Sequence, residues 1–373
     1  MKILSCINLL FVIFILSACS GDDSKPADEG TITEVALGKL IFDDANLSAN
    51  NYQACSTCHD ATTGYTDPHV STANPVSEGT LIDHFGKRNT PTSAYAQFSP
   101  AFSLTDDPVH GLVFSGGLFL DGRRDTLEEQ AKGPMLSQAE LAGAGKQAVV
   151  DGVINGLYVN RFMKVYGNDI FNNTDKAFDK IVQAIAVFER SDEMSPFNSK
   201  FDCFIKNAEQ YPLSIQEQAG LDVFDGKGNC TACHTLKPQH ESGKVLFTNF
   251  HYFNIGVPAN PDNPANKANA KFVDLGLGGR LSDSAENGKF KTPTLRNIAK
   301  TAPYMHNGVF GTLEEVVAFY NIDKKESASP SPEVINNITS EVDTLSLNDP
   351  TDIDAVVAFM KTLTDGSGAG ICF

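Results

Sequence analysis

A mainly helical fold is predicted for this 373-residue chain by three observations. Apolar residues recur at helical spacing in several segments, no long alternating strand pattern occurs, and two short cysteine–histidine motifs each follow one of those helical segments. A composition of 41% hydrophobic and 20% charged residues suits a chain that buries a real core. Its length suggests two or three domains. The formal charge, 29 basic minus 46 acidic residues or −17, argues against nucleic acid as a partner and is compatible with a basic protein partner or simply with solubility.

The chain opens with Lys2, the apolar run ILSCINLLFVIFIL and then SACSG, the pattern of an export signal and too short to span a bilayer comfortably. Leu16-Ser17-Ala18-Cys19 resembles the lipobox of bacterial lipoproteins. Residues 1–18 are therefore expected to be removed and Cys19 to carry lipid, with Ser20 directing the protein to the periplasmic side of the outer membrane. Cys6 falls in the discarded part. Residues 19–30, polar and acidic, read as a flexible tether. EVALGKLIF, with Val35, Leu37, Leu40 and Ile41, is a short helix leading to QACSTCHD. DKAFDKIVQAIAVFER places Phe178, Ile181, Ile185 and Phe188 on one helical face. SIQEQAGLDVF, with Ile215, Ala219, Leu221 and Val223, is a second lead-in helix, followed by CTACH. Thr312 to Glu315 forms a capping box opening a helix with Leu313, Val316, Val317 and Tyr320 on its inner face. In DIDAVVAFMKTL, Met360 belongs to an apolar stripe with Ile353, Val356, Val357 and Leu363.

The two C-x-x-C-H motifs decide the chemistry. Chance would supply on the order of 0.004 such motifs in a chain of this composition. A zinc site would need four ligands closing a tetrahedron, and joining the two pairs across about 170 residues is possible but unusual; a redox dithiol would want a βαβ context, which neither motif has. The spacing matches covalent haem attachment, with two thioethers and an adjacent imidazole as axial ligand. Cys55, Cys58 and His59 are assigned to one haem, and Cys230, Cys233 and His234 to another. The organisation follows as two cytochrome c-type haem domains, 31–205 and 206–373. Cys203 and Cys372 are left over and could pair in an exported chain.

Four segments carry a specific resemblance: LGKLIFDDANLSANNYQACSTCHD, GKRNTPTSAYA, DGRRDTLEEQAKGPM and FKTPTLRNIAKTAPYMHNGVFGTLEEVVAFYN. Together they resemble the bacterial di-haem cytochrome c peroxidase family over nearly all of the chain from about Leu37 to Met360. The resemblance implies a peroxide-reacting N-terminal haem, a C-terminal haem that accepts or stores electrons, and a calcium ion between them. It also implies hydrogen peroxide as substrate, a small cytochrome or cupredoxin as electron donor, and allows for a homodimer. A peroxide-dependent oxidase of a partner protein, like the MauG branch of that family, is the alternative reading. A di-haem electron carrier without peroxidase activity is a third.

An iron that binds peroxide needs an open sixth position, whereas an electron-transfer iron usually fills it. Met305, His306, Tyr320 and Met360 are candidates for the second iron. The resemblance points to Tyr320, since the peroxidases have methionine there and the MauG branch tyrosine. By the same resemblance Glu140 is the catalytic acid/base and Gln130 a second pocket residue. A carboxylate suits the proton transfer that peroxide cleavage requires. His69 and His84 are weaker candidates for capping the first iron. Asn89, Thr301 and Pro303 match the family's calcium ligands, an amide and two carbonyl oxygens being hard donors. One departure stands out: FLDGR places Leu120 where the family commonly has a tryptophan relay, and the chain contains no tryptophan.

Overall fold

The computed structural model describes residues 32–238, 243–321, 330–345, 347, 349–367 and 372. The expected signal segment, Cys19 and the tether lie outside the described residues. Helices dominate, as expected from the apolar periodicity. Those that position the site are α1 (Glu34–Phe42), α2 (Leu127–Leu136), α3 (Thr174–Glu189), α4 (Lys200–Lys206), α5 (Ile215–Asp225), α6 (Leu313–Phe319) and α7 (Pro350–Lys361). Local chemistry explains their starts. Thr33 caps α1 by accepting from the Ala36 N–H, Asn173 caps α3, and Ser199, Ser214 and Thr312 form capping boxes with Asp202, Glu217 and Glu315.

Two apolar cores organise these helices. The first gathers Leu37, Ile41 and Phe42 of α1 with Phe178, Ile181, Ile185 and Phe188 of α3. The second gathers Phe224 of α5 with Val356, Val357, Phe359 and Met360 of α7, together with Phe201 of α4. Met360 is thus core packing.

The same helix crossing occurs in both. In the first, Gly38 lies so close to α3 that a Cβ would fall 2.0 Å from the Ala184 carbonyl oxygen. In the second, a Cβ on Gly220 would fall 1.9 Å from the Ala355 oxygen. Four residues after each glycine a phenylalanine packs on the opposing helix, Phe42 on Phe188 and Phe224 on Phe359, both with ring centroids 5.2 Å apart. Glycine is required at each crossing because any side chain would strike backbone.

Strand content is small. A hairpin of β1 (Ser103–Asp107) and β2 (Gly111–Ser115) stands on the surface, and β3 (Tyr252–Phe253) pairs with β4 (Phe290–Lys291). The hairpin was not anticipated: its five-residue arms carry weak alternation and are exposed over most of their length. Cys203 and Cys372 form a disulfide with Cα atoms 5.4 Å apart, tying α4 to the chain's far end.

Where the cores meet, Arg296 is buried to 1% exposure. Its guanidinium donates to both carboxylate oxygens of Asp202, at 2.6 and 2.8 Å, and to the Val245 carbonyl. It lies over Phe197, Tyr95 and Phe247 at 4.6, 5.4 and 5.7 Å. Burial alone would raise the Asp202 pKa, but Arg296 and the Ser199 donors outweigh it and hold the carboxyl below the usual range.

Breaking this pair leaves a buried unpaired charge, a loss of about 3–5 kcal/mol. Asp202→Ala should lower the unfolding midpoint in denaturant accordingly. Because the folded pKa is depressed, the stabilisation is full above the unfolded value of about 4 and disappears as pH falls through the folded one. The wild-type advantage over Asp202→Ala should therefore shrink in acid, which paired denaturation curves at neutral and acidic pH would measure.

Candidate di-haem site

Both motifs open onto one continuous cavity of about 1000 Å³. That is the upper end of the usual ~300–1,000 Å³ for small-molecule sites, as expected of a space taking two macrocycles. Its walls include Cys55, Cys58 and His59 on one side and Cys230, Cys233 and His234 on the other. In the first motif Cys55–Cys58 form a single helical turn, and the His59 N–H donates to the Cys55 carbonyl. In the second, Cys230–Ala232 form a 3-10 turn and the His234 N–H donates to the Cys230 carbonyl.

The two imidazoles are held alike. His59 Nδ1 lies 2.9 Å from the Tyr65 carbonyl oxygen and His234 Nδ1 lies 2.8 Å from that of Phe247. Donation from Nδ1 leaves Nε2 as the lone-pair nitrogen, the tautomer a ligating histidine needs. Both carbonyls belong to residues with left-handed backbone, Tyr65 at φ 61° and Phe247 at φ 55°. Burial lowers both imidazole pKa values, that of His234 to about 4, so both rings are neutral at pH 7. Burial also pushes the thiols of Cys58, Cys230 and Cys233 up to about 12. Such thiols are not poised as free thiolates for disulfide exchange. The donor set and the cavity fit two covalently held haems.

Glu140 and Gln130 line the same cavity. Gln130 projects from α2, and Glu140 follows in the turn after it, anchored by its N–H to the Ser137 carbonyl and by its carbonyl to the Thr80 N–H. Burial raises the Glu140 pKa above 4.5, an effect partly offset by the positive charge of Arg123 and a hydrogen bond with Ser137. Arg123 is placed by an ion pair with Asp121, which also receives Arg88 at 2.7 Å. Arg88 forks onto Asp274 at 2.6 and 2.8 Å, so GKRNTP and FLDGR are clamped to the second half of the chain.

Tyr320 ends α6 and also lines the cavity. Burial raises its pKa, and Cys233 and Cys230 add to the shift, which places the phenol beside the second motif. Its hydroxyl has no hydrogen-bond partner among the described residues. The other three candidates line the same cavity. His306 stacks on Phe290 at 3.9 Å and directs Nε2 to Glu333 at 3.2 Å. Met360 packs in the second core, while Met305 stays at the cavity wall. His69 and His84 are exposed and outside the cavity, His69 resting on Asp67 and His84 on the Ile82 carbonyl.

Asn89 is buried, its side chain against the Pro303 carbonyl and its N–H donating to the His306 carbonyl; Thr301 sits nearby on the cavity wall. Leu120 lines the cavity too, and its carbonyl accepts from the Lys291 N–H. Phe250 and Phe290 border the same space.

Two desolvated charges escaped the sequence reading. Lys291 is half-buried on the cavity wall, donating to Ser99 Oγ at 3.0 Å and to the Gly117 carbonyl, and desolvation brings its pKa down to about 7. Glu189 of α3 is 4% exposed, has an oxygen without a partner, and burial pushes its pKa up to about 8. Lys291 lies in the FKTPT segment, which could have flagged it. Glu189 carried no signal beyond a charge on an apolar helix.

Comparison with known proteins agrees with this geometry. Residues 33–210 match the family model described as di-haem cytochrome c peroxidase. The methylamine utilization protein MauG of Paracoccus denitrificans is 37% identical, with 97% of this chain and 95% of that protein covered. Cytochrome c551 peroxidase of Nitrosomonas europaea is 30% identical over 75% of this chain and 70% of its own length. The crystal structure of the diheme peroxidase BthA from Burkholderia thailandensis superposes with a TM-score of 0.77 at 30% identity, covering 90% and 87% of the two chains.

If Tyr320 supplies the sixth ligand of the second iron, Tyr320→Phe should alter the electron paramagnetic resonance signal of that haem alone. A spectrum identical to wild type would assign the position to another group.

Proposed function

Because the chain belongs to the di-haem cytochrome c peroxidase family, we propose that it reduces hydrogen peroxide to water, taking two electrons one at a time from a small cytochrome or cupredoxin. The observation that carries this is the placement of Glu140 and Gln130 on the wall of the cavity that both C-x-x-C-H motifs share. A mere electron carrier has no use for a half-buried carboxyl at such a wall.

Cys55 and Cys58 would hold the first haem by thioethers and His59 Nε2 its iron; Cys230, Cys233, His234 and Tyr320 would do the same for the second. When bound, the haems supply the iron chemistry that accepts peroxide at the first site and delivers electrons from the second. The Glu140 carboxylate takes the proton from the inner peroxide oxygen and returns it to the outer one, so that the departing oxygen leaves as water. Gln130 orients the substrate by hydrogen bonding. Arg123 keeps enough of Glu140 ionised for this role, offsetting the burial that favours the neutral acid.

A second reading rests on Tyr320: a phenolate ligand stabilises oxidised iron, which suits an oxidase of a partner protein. Leu120 weighs against rapid communication between the haems in either case, because leucine has no accessible oxidation state. Calcium held by the Asn89 amide with the Thr301 and Pro303 carbonyls completes the proposal. So do export and a lipid anchor on Cys19, facing the periplasm.

Peroxide added with a reduced small cytochrome should give turnover, and Glu140→Gln should slow it about 10²–10⁴-fold with both haems still attached. The wild-type rate should fall as pH drops through the raised Glu140 pKa, and the Gln variant should lack that limb. Equal rates in the two proteins would remove Glu140 from the mechanism. Peroxide-dependent oxidation of a protein without donor turnover would favour the oxidase.

A further inference from the structure

A second cluster of ligating side chains lies outside the haem cavity, where the surface hairpin meets the second half of the chain. Asp107 ends β1, His110 sits in the turn before β2, and His251 immediately precedes β3. One donor atom from each of the three lies within 4.8 Å of the others. The hairpin is held against His251 by a bridge between Ser115 and His251, by the Gly116 N–H donating to the Phe250 carbonyl, and by the Tyr252 hydroxyl donating to the Gly116 carbonyl at 2.6 Å.

Both imidazoles are more than nine-tenths buried, at 7% and 8% side-chain exposure. Yet His110 Nε2 and His251 Nδ1 have no hydrogen-bond partner. His251 Nε2 faces Asp107 Oδ2 at 3.9 Å, too far for a hydrogen bond. A buried imidazole with neither nitrogen satisfied is an anomaly that asks for a missing partner.

We infer that Asp107, His110 and His251 form a site for a divalent transition-metal ion of the zinc or copper class. Two imidazole nitrogens and one carboxylate oxygen are the donor set those ions prefer, whereas calcium and magnesium take oxygen shells. A metal about 2.0–2.2 Å from each donor in tetrahedral geometry places donors roughly 3.3–3.6 Å apart. His110 Nδ1 is hydrogen-bonded to Asp107 Oδ1 at 2.9 Å and His251 Nε2 lies 3.9 Å from Asp107 Oδ2, so each imidazole faces its own carboxylate oxygen and a metal would replace the existing hydrogen bond. His110 facing Asp107 through Nδ1 leaves its Nε2 directed at Glu341, 3.5 Å away. At that distance the two are not hydrogen-bonded, but a metal held through Nδ1 would make Nε2 a donor with Glu341 as the neighbouring carboxylate acceptor. The Asp107 carboxyl is already ionised, as a metal ligand must be, because the His110 and Val109 N–H groups hold its pKa below the usual range against the opposing effect of burial. Burial keeps His251 neutral. Three donors leave the fourth position to water or another ligand.

The test uses the haem-loaded protein, stripped of loosely bound metal by chelator; porphyrin iron is retained. Equilibrium dialysis against zinc chloride alone should add one zinc per chain. His110→Gln and His251→Gln should each weaken binding more than about 100-fold, with haem absorbance and circular dichroism unchanged. Copper(II) alone should give a paramagnetic resonance spectrum with nitrogen coupling from two imidazoles. Calcium should not displace either metal. If a histidine variant fails to fold, Glu341→Gln should still weaken zinc binding about 10–100-fold. Absence of stoichiometric zinc or copper uptake by the wild type, undiminished uptake by the variants, or displacement by calcium would each overturn the inference.

Discussion

The buried guanidinium of Arg296 is the interaction on which the arrangement of the two halves depends. It touches both cores at once: Tyr95 and Phe197 belong to the first and Phe247 to the second, and all three rings lie within cation–π range. Its carboxylate partner, Asp202, also caps α4, the helix that the Cys203–Cys372 disulfide ties to the far end of the chain. Beyond Arg296, Asn297 pairs with Asp365, which also receives the Tyr95 hydroxyl. A charge so enclosed tolerates little displacement, because every donor must keep its acceptor once water is gone. The haem cavity is the space left between two cores fixed in this way.

Within each half the chain repeats one solution to a packing problem. A glycine lets two helices approach until main chain meets main chain, a phenylalanine one turn later fills the crossing, and a short turn then presents two cysteines and a histidine. The imidazole is aimed by a main-chain carbonyl whose residue adopts left-handed backbone. A carbonyl is a better anchor here than a carboxylate, since it orients the ring without adding charge to a buried site. The halves differ in what else they bring to the cavity. Glu140 and Gln130 have their place in the first half, and the phenol of Tyr320 stands beside the second motif.

The tryptophan-to-leucine change gains context from its neighbours. Leu120 shares its wall with Phe250 and Phe290, and its carbonyl fixes the Lys291 backbone. The half-buried Lys291 ammonium, shifted towards neutrality by desolvation, is the titratable group that β4 adds to this wall. Electron passage across this region would be governed by distance and by that charge, without an oxidisable indole.

Much of this was legible in the primary structure because covalent chemistry and local periodicity leave short-range signatures. The C-x-x-C-H spacing, the capping box of α6, and the apolar faces of α1, α3 and α7 each lie within a few neighbouring positions. Family membership was readable in the same way, from contiguous motifs. What the residue string alone determined is therefore the helical character and the two attachment points. Folding in three dimensions decided the rest: the desolvation of Lys291 and Glu189, the Arg296–Asp202 pair, the packing of His306 between Phe290 and Glu333, and the meeting of Asp107 and His110 with His251. Those features depend on contacts between distant segments, and desolvation, which sets their charge states, exists only once the chain has closed around them.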